Sequence, residues 1–305
     1  MRVLAFAKIN RSLRVLGTRP DGYHELRTIF QSIAVHDTLT IRAIRGPFRL
    51  TCDDPACPAD DTNLIARAAA RMWKAAGRRG APRDVAIDLR KRIPMQAGLG
   101  GGSSDAAAAL RALARRWRVG EAKVRASAAA LGADVPYFLE GGAALGLERG
   151  DLLFPLAEPP PAWVVLALPD FGVSTKDAFF WFDERADTRV GVYGVMADPR
   201  VRREDQEMVN DLQAPVVARH PEIGRIISAL LGAGAFQAAM SGSGSTVFGL
   251  FSSGPAALRA ANRLASASCR TLVTKTLNRQ KYQRLAATSG HRINLPFAPR
   301  RLGHS

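Results

Sequence analysis

The sequence predicts an α+β chain folded as two lobes, on three observations. Strand-like and helix-like segments succeed one another without strict βαβ alternation, which argues against a doubly wound parallel sheet. The chain has 305 residues, long for one compact domain and comfortable for two. The stretch "AEPPPA" at 157–162 has the composition of a linker. Hydrophobic residues make up 47 % of the chain and charged residues 23 %, so a sizeable core is available.

The opening "RVLAFAKINRSLRVL" spaces Val3, Ala5, Ala7, Ile9, Leu13 and Val15 as a strand does. "GTRPDGYHEL" comes next as a turn, marked by Pro20, Asp21 and Gly22. "DTLTIRAI" and "FRLTC" are two further strands. "DDTNLIARAAARMWKAAG" predicts a helix from near Asp61 to Gly77. "DVAIDLRKRI" returns to strand. After a glycine run, a helix spans about Ser103 to Trp117, with Ala106, Leu110, Leu113 and Trp117 on one face. A helix from Glu121 ends at Gly132, and "GGAALGL" and "DLLFPL" are strand candidates. Beyond the linker come a strand ("WVVLALP"), a helix start ("STKDAFFWF"), a less certain stretch to about Glu207, and a helix in "PEIGRIISALLGAG". "AFQAAMSGSGSTVFGLF" predicts strand, tight loop, strand; a helix ("PAALRAANRLASA") and a last strand ("CRTLVTKTL") complete the pattern.

Composition narrows the function classes. The apolar run Trp163 to Leu168 is far too short to span a bilayer. Lys8, Arg11 and Arg14 interrupt the N-terminal apolar pattern, so no signal-peptide core forms and a cytoplasmic protein is expected. Three cysteines, Cys52, Cys57 and Cys269, form no disulfide framework, and no second Cys/His pair stands at zinc-site spacing. The formal charge is +16, and no acidic residue comes after Glu222. A basic surface attracts polyanions, either nucleic acid or phosphorylated small molecules. The basic residues of the C-terminal third are scattered and lack an interleaved aromatic stripe, which disfavours nucleic acid.

"PMQAGLGGGSSDAAAA", from Pro94 to Ala109, carries the strongest chemical signal. Consecutive glycines reach positive φ at little steric cost, and their N–H groups can converge into an anion nest. A helix begins at once, and its N-terminus adds free N–H groups and the positive end of a dipole. No side chain blocks approach to Gly100, Gly101 or Gly102. This is a phosphate cradle. It is not a Walker A loop, because no lysine succeeds the glycines, and it fits the dinucleotide pattern poorly.

The same segment resembles the central motif of the GHMP kinases, and three more segments appear in that family's order. "FAKINRSLRVLGTRPDGYHEL" at 6–26 resembles the N-terminal motif of one branch, "LGADVPYFLEGGAALGLERGD" at 131–151 its aspartate-bearing segment, and "AAMSGSGSTVFGLF" at 238–251 the C-terminal glycine motif. "AKIN", "RPDGYHEL" and "GADVPYF" resemble the branch that phosphorylates a cytidine diphosphate-linked methylerythritol. The resemblance implies a two-lobed GHMP kinase fold. Residues 1–156 would form an ATP-binding lobe similar to ribosomal protein S5 domain 2 and residues 163–285 a C-terminal lobe; residues 286–305 have no counterpart in the family, and their basic composition with Pro296 and Pro299 predicts a poorly ordered tail.

It further implies a substrate hydroxyl as phosphoryl acceptor, ATP as donor and Mg²⁺ as its companion. Lys8 and Asp134 match the catalytic pair. Pro94, Met95, Gly98, Leu99, Gly100, Gly101, Gly102, Ser103 and Ser104 match the ATP loop, with Asn63 near the adenine. Asn10, Tyr23, His24 and Phe179 match the cytidine side. Ser241, Gly242 and Gly244 match a supporting glycine motif, and Ser104 is a weak candidate for the metal. Plainer roles stand beside these. Asp134 also suits a turn before Pro136, Tyr23 loop packing, and His24 the surface. Phe180, Trp181 and Phe182 compete with Phe179 for the cytosine. Two rivals remain: a GHMP kinase acting on another alcohol, and a polyanion-binding protein that uses the acid-free C-terminal third.

Overall fold

A computed structural model describes residues 1–187 and 209–287. The uncertain stretch before Glu207 and most of the expected tail lie outside the described residues. The chain divides into two compact units. Of the described residues, the first comprises Met1–Met95, Leu99–Pro160 and those from Leu277 to Ala287; the second comprises Gln96–Gly98 and those within Pro161–Thr276.

In the first unit, strands β1 (Arg2–Thr18) and β2 (His24–Pro47) pair antiparallel, joined by the expected turn, in which Gly22 N–H donates to Arg19 O at 3.0 Å. β3 (Arg49–Cys52) and β4 (Arg83–Arg90) extend the sheet on one side, and β5 (Ala143–Glu148) and β6 (Leu152–Pro155) on the other. β2 reaches well beyond the predicted 37–44. Gln31, Ser32 and His36 break its alternation, yet Phe30, Gln31, Ser32 and Ile33 are all buried. Their polar groups find partners: Gln31 Nε2 donates to Leu277 O at 2.9 Å, and Ser32 Oγ lies 2.7 Å from Tyr137 Oη. A strand covered on both faces does not show a period of two.

Helix α1 (Leu64–Ala75) starts later than the predicted Asp61 because Asp60 is spent on a turn, accepting from Thr62 N–H at 2.9 Å. Asn63 then caps the helix, accepting from Ile65 N–H at 2.8 Å. α1 buries Ile65, Ala68, Ala69, Met72 and Trp73, a 3.6-residue stripe. Helix α2 (Gly101–Trp117) starts two residues before the predicted Ser103. Its run Ala106–Ala109 is buried all round, and small side chains let neighbours approach closely. α3 (Glu121–Ala129) and the short α4 (Tyr137–Glu140) come next.

The second unit holds a four-stranded antiparallel sheet in the order β10–β7–β9–β8: β7 (Trp163–Pro169), β8 (Gln237–Met240), β9 (Val247–Phe251) and β10 (Cys269–Lys275). Helices α5 (Thr175–Asp187), α6 (Gln213–Arg219), α7 (Pro221–Gly232) and α8 (Gly254–Leu264) accompany it. α7 buries Ile223, Ile226, Ile227 and Leu230, and β7 buries Val164 through Ala167.

The last helix, α9 (Arg279–Ala287), runs across the expected boundary at 285. It packs with the first unit, where Tyr282 is buried and its hydroxyl donates to Phe138 O at 2.7 Å. Its polar sequence hides this: only Tyr282 and Ala286, one turn apart, are buried. Among the described residues no helix is long and apolar enough to cross a membrane.

Candidate active site

β1 carries two of the predicted residues. Lys8 and Asn10 lie two apart and face Ser32 and Phe30 of β2. The register shifts between Phe6 and Lys8 and again between Asn10 and Ser12, and such bulges re-aim side chains. Both residues are buried, at 4 % and 3 % exposure. Lys8 Nζ donates to Asn10 Oδ1 at 2.5 Å, Asn10 Nδ2 donates to Thr28 Oγ1 at 2.8 Å, and the Thr28 hydroxyl donates to Ser12 O at 2.7 Å. This chain fixes where the ammonium points. Lys8 Nζ also lies 3.4 Å from Asp134 Oδ2. Asp134 is 32 % exposed, so its carboxylate meets both the buried ammonium and solvent. Val135, Tyr137 and Phe138 are fully buried beside it and hold the turn.

The glycine segment adjoins this pair. Lys8 N–H donates to Leu99 O at 3.1 Å. Gly100 has φ +71°, and a Cβ there would stand 2.7 Å from the Phe138 ring and 3.2 Å from Lys8 Cε. Only glycine fits. Ser104 N–H donates to Gly100 O at 2.9 Å, the first intrahelical bond. The N–H groups of Gly101, Gly102 and Ser103 precede it and have no helical acceptor. Gly102 is exposed, Ser103 and Pro94 half-buried, Met95 exposed and Leu99 buried. The loop therefore offers unengaged backbone donors at a helix N-terminus, an arrangement suited to an anion.

Ser104 is the weak metal candidate. It is 1 % exposed, and its hydroxyl donates inward to Phe6 O at 2.7 Å. Asn63 is largely engaged as the α1 cap, with Nδ2 donating to Pro58 O at 2.6 Å. Nδ2 also approaches Cys57 Sγ at 3.6 Å. Burial, and then the neighbouring Cys52, push the Cys57 thiol up to about 12, so it stays protonated. All three cysteines are free. Tyr23, in the β1–β2 turn, is 58 % exposed, with the Arg149 guanidinium 5.3 Å from its ring centroid. His24 is half-buried next to it.

The second unit carries the remaining predictions. Gly98 has φ +70°, and a Cβ would come within 1.9 Å of Ser241 O; Ser241 Oγ donates to Gly98 O at 2.9 Å. Gly242 and Gly244 shape the β8–β9 loop with φ of +58° and +92°. Phe179 is half-buried on α5, whereas Phe180 is exposed. Trp181 lies by His220, which stacks on Phe171 at 4.4 Å.

Several residues escape the sequence reading. Asn210 is buried and holds the β8–β9 loop, its Nδ2 donating to Met240 O and Gly242 O, each at 2.8 Å. Phe138 walls Gly100. Lys91, Asp37 and Asp105 form a buried ionic set under α2. Phe138 and Asp105 lie inside recognised motifs but are apolar or helical in context. For Lys91 and Asp37 the one signal is a charge in a strand. Among the described residues no group of three His, Cys, Asp or Glu side chains is placed to hold a metal ion.

A glycine cradle at a helix N-terminus beside a lysine–aspartate pair, in a two-unit α+β chain, has the makings of a small-molecule kinase. The family model for the GHMP kinases N terminal domain matches residues 63–142, and that for GHMP kinases C terminal matches residues 201–270. Among curated relatives, 4-diphosphocytidyl-2-C-methyl-D-erythritol kinase of Moorella thermoacetica is 41 % identical over 288 residues, covering 90 % of this chain and 98 % of its own. Its namesake from Anaeromyxobacter dehalogenans is 43 % identical over 294 residues, covering 90 % of each. A crystal structure of 4-(cytidine 5'-diphospho)-2C-methyl-D-erythritol kinase superposes with a TM-score of 0.72 at 34 % identity, covering 90 % of this chain and 99 % of that one. The chain belongs to the GHMP kinases, in the 4-diphosphocytidyl-2-C-methyl-D-erythritol kinase family.

Proposed function

We propose that this chain transfers the terminal phosphoryl group of ATP to the 2-hydroxyl of 4-diphosphocytidyl-2-C-methyl-D-erythritol, in the cytoplasm, as a step of isoprenoid precursor synthesis. The observation that carries the chemistry is the Lys8–Asp134 pair at 3.4 Å, with Lys8 seated against Gly100 of the helix-opening glycine run.

The phosphates of ATP lie on the N–H groups of Gly101, Gly102 and Ser103, where the dipole of α2 favours negative charge. Asn63 Oδ1 keeps one lone pair for an adenine amino group. Asp134 accepts the proton of the attacking hydroxyl. Lys8 pairs with Asp134 and offsets charge on the moving phosphoryl group. Asn10 holds Lys8 in place. Mg²⁺ would come with ATP as its complex and would supply charge neutralisation for the phosphates held at Gly101, Gly102 and Ser103. With no carboxylate cluster among the described residues, the donors fit a metal carried by the nucleotide and not a resident ion. Tyr23 stacks on cytosine, and His24 meets its polar edge. One face of Tyr23 is backed by Arg149, which leaves the other for the base.

The test is ATP consumption by the purified protein with 4-diphosphocytidyl-2-C-methyl-D-erythritol, mevalonate and homoserine in parallel, with Asp134→Asn as control. Turnover is expected on the first substrate alone. The variant should lose about 10²-fold or more in kcat with ATP affinity retained. Turnover on another alcohol would discard the cytidine side, and near-normal turnover of the variant would end the base assignment.

A further inference from the structure

We infer that Lys91, Asp37 and Asp105 are positioning residues of the phosphate loop: a buried ionic clamp joining the strand that enters the loop to the helix that leaves it. The inference rests on the kinase reading above, and it assigns a role to residues that touch neither the nucleotide nor the acceptor.

The contacts join three elements. Lys91 stands directly after β4, three residues before Pro94. Its Nζ donates to Asp37 Oδ2 of β2 at 2.5 Å and to Asp105 Oδ2 of α2 at 2.9 Å. Asp37 Oδ1 accepts from the N–H groups of Arg92 and Ile93, the latter at 2.8 Å. One carboxylate therefore holds the chain at 92–93, while one ammonium ties that chain to the far side of the loop. Asp105 is four residues beyond Gly101 and shares its helix face. The ammonium lies directly under the start of the helix: a Cβ on Gly101 would stand 3.3 Å from Lys91 Nζ and 3.1 Å from Ile93 Cγ2.

All three charged side chains are buried. Buried ion sets add little net stability, and apolar side chains of similar volume often serve a core as well. What such a set does provide is direction, because each hydrogen bond fixes an angle as well as a distance. The segment between its two ends is glycine-rich and has wide conformational freedom of its own. Binding a triphosphate on backbone N–H groups requires those groups to be aimed beforehand. The charge balance agrees. Burial first, and Asp37 second, hold the Asp105 carboxyl well above the usual carboxylate range. Burial opposes the charge of Lys91, but Asp105 and Asp37 outweigh it and raise the ammonium. Asp105 Oδ1 has no partner among the described residues, as suits a carboxyl that is not fully solvated as an anion. The set thus approaches neutrality and acts by holding the loop, not by attracting phosphate.

The experiment compares the full-length parent with Lys91→Met/Asp105→Leu made together with Asp37→Asn, so that no buried carboxylate is left unpaired, and with Asp105→Asn. ATP binding is measured by calorimetry, KM is measured for both substrates, and melting is followed by circular dichroism. The triple variant should fold and bind ATP about tenfold or more weakly, with KM for the cytidylyl acceptor within about twofold of the parent. Asp105→Asn keeps an acceptor for Lys91 and should stay within about threefold for ATP. ATP binding by the triple variant as tight as the parent's overturns the clamp. So does an equal weakening toward both substrates, which marks a general structural loss. A parent that binds no ATP overturns the kinase reading and the clamp with it. Amide exchange on the parent supplies the same test without a variant. The clamp predicts that Arg92 and Ile93 exchange far more slowly than Met95 and Gln96; equal rates overturn it.

Discussion

The glycine segments at 100–104 and 241–245 are made of the same residue types and treat their backbones in opposite ways. In the first, Gly100 turns the chain and α2 begins at once, leaving three N–H groups without helical acceptors. In the second, the chain turns back from β8 to β9, and its polar groups are used within the unit. Ser241 N–H donates to Thr246 O at 2.9 Å, Ser245 Oγ donates to Phe171 O at 2.5 Å, and Asn210 Nδ2 donates to the carbonyls of Met240 and Gly242. Glycine makes a tight turn available in both places. The element after the turn decides whether donors are left over for an anion. A long helix leaves its first N–H groups without acceptors, whereas this hairpin engages those of Ser241 and Gly244, the latter donating to Ser241 O at 3.0 Å.

The comparison can be broken at its strongest point. Gly100→Ala forces a Cβ against the Phe138 ring in a left-handed conformation, which costs roughly 1–2 kcal/mol before any clash. ATP affinity should fall more than tenfold, read by calorimetry; an unchanged affinity would show that the first segment is not the cradle. Asn210→Ala tests the second segment. It leaves two buried carbonyls and the Leu212 N–H without their partner. Denaturant unfolding should show a loss of about 1–3 kcal/mol, with ATP affinity affected less than by Gly100→Ala.

Ser243→Ala sharpens the contrast from the other side. Ser243 Oγ makes an exposed hydrogen bond to Thr175 Oγ1 at 3.1 Å. Its loss should change stability by no more than about 0.5 kcal/mol in the same unfolding assay, and a large loss would mean that the second loop depends on more than buried bonds.

The smallest effect is one of pH. Neither segment has a titratable side chain, so acid sensitivity must come from elsewhere. His36 packs against Phe6 at 5.1 Å and pairs through Nδ1 with Ala34 O at 2.9 Å. Burial holds its imidazole below the ordinary value, with the Ala34 carbonyl partly opposing. The unfolded chain therefore binds the extra proton first, and stability is lost as pH falls below about 6.5. Replacing His36 with Asn should flatten that loss in thermal melts between about pH 7 and 5. An unchanged slope would place the acid sensitivity in other groups.

Much of this is legible in the sequence because it depends on neighbours in the chain. α1 and α7 show their 3.6-residue stripes in Ile65–Trp73 and Ile223–Leu230. The cradle is legible because a glycine run and the helix it opens are contiguous. Lys8, Asn10 and Asp134 are legible only through motif resemblance, since a lysine on a strand and an aspartate in a turn have ordinary roles as well. The first half of β2 and the whole of α9 are not legible. Burial on both faces erases the alternation of one, and a single turn of buried contact gives the other too little pattern.

The sequence by itself determined the fold class, the order of most elements and the helix that opens directly after the glycine run, since propensity, periodicity and turn chemistry are local. Only the tertiary structure decided which charges meet. It seats Lys8 between Asn10 and Asp134, turns Ser104 inward to Phe6, and closes Lys91 on Asp37 and Asp105 beneath the glycine run. The physical reason is that a buried charge persists only beside a partner, and in all of these sets but the Lys8–Asn10 pair the partner comes from a different element, brought there by packing and not by spacing in the chain.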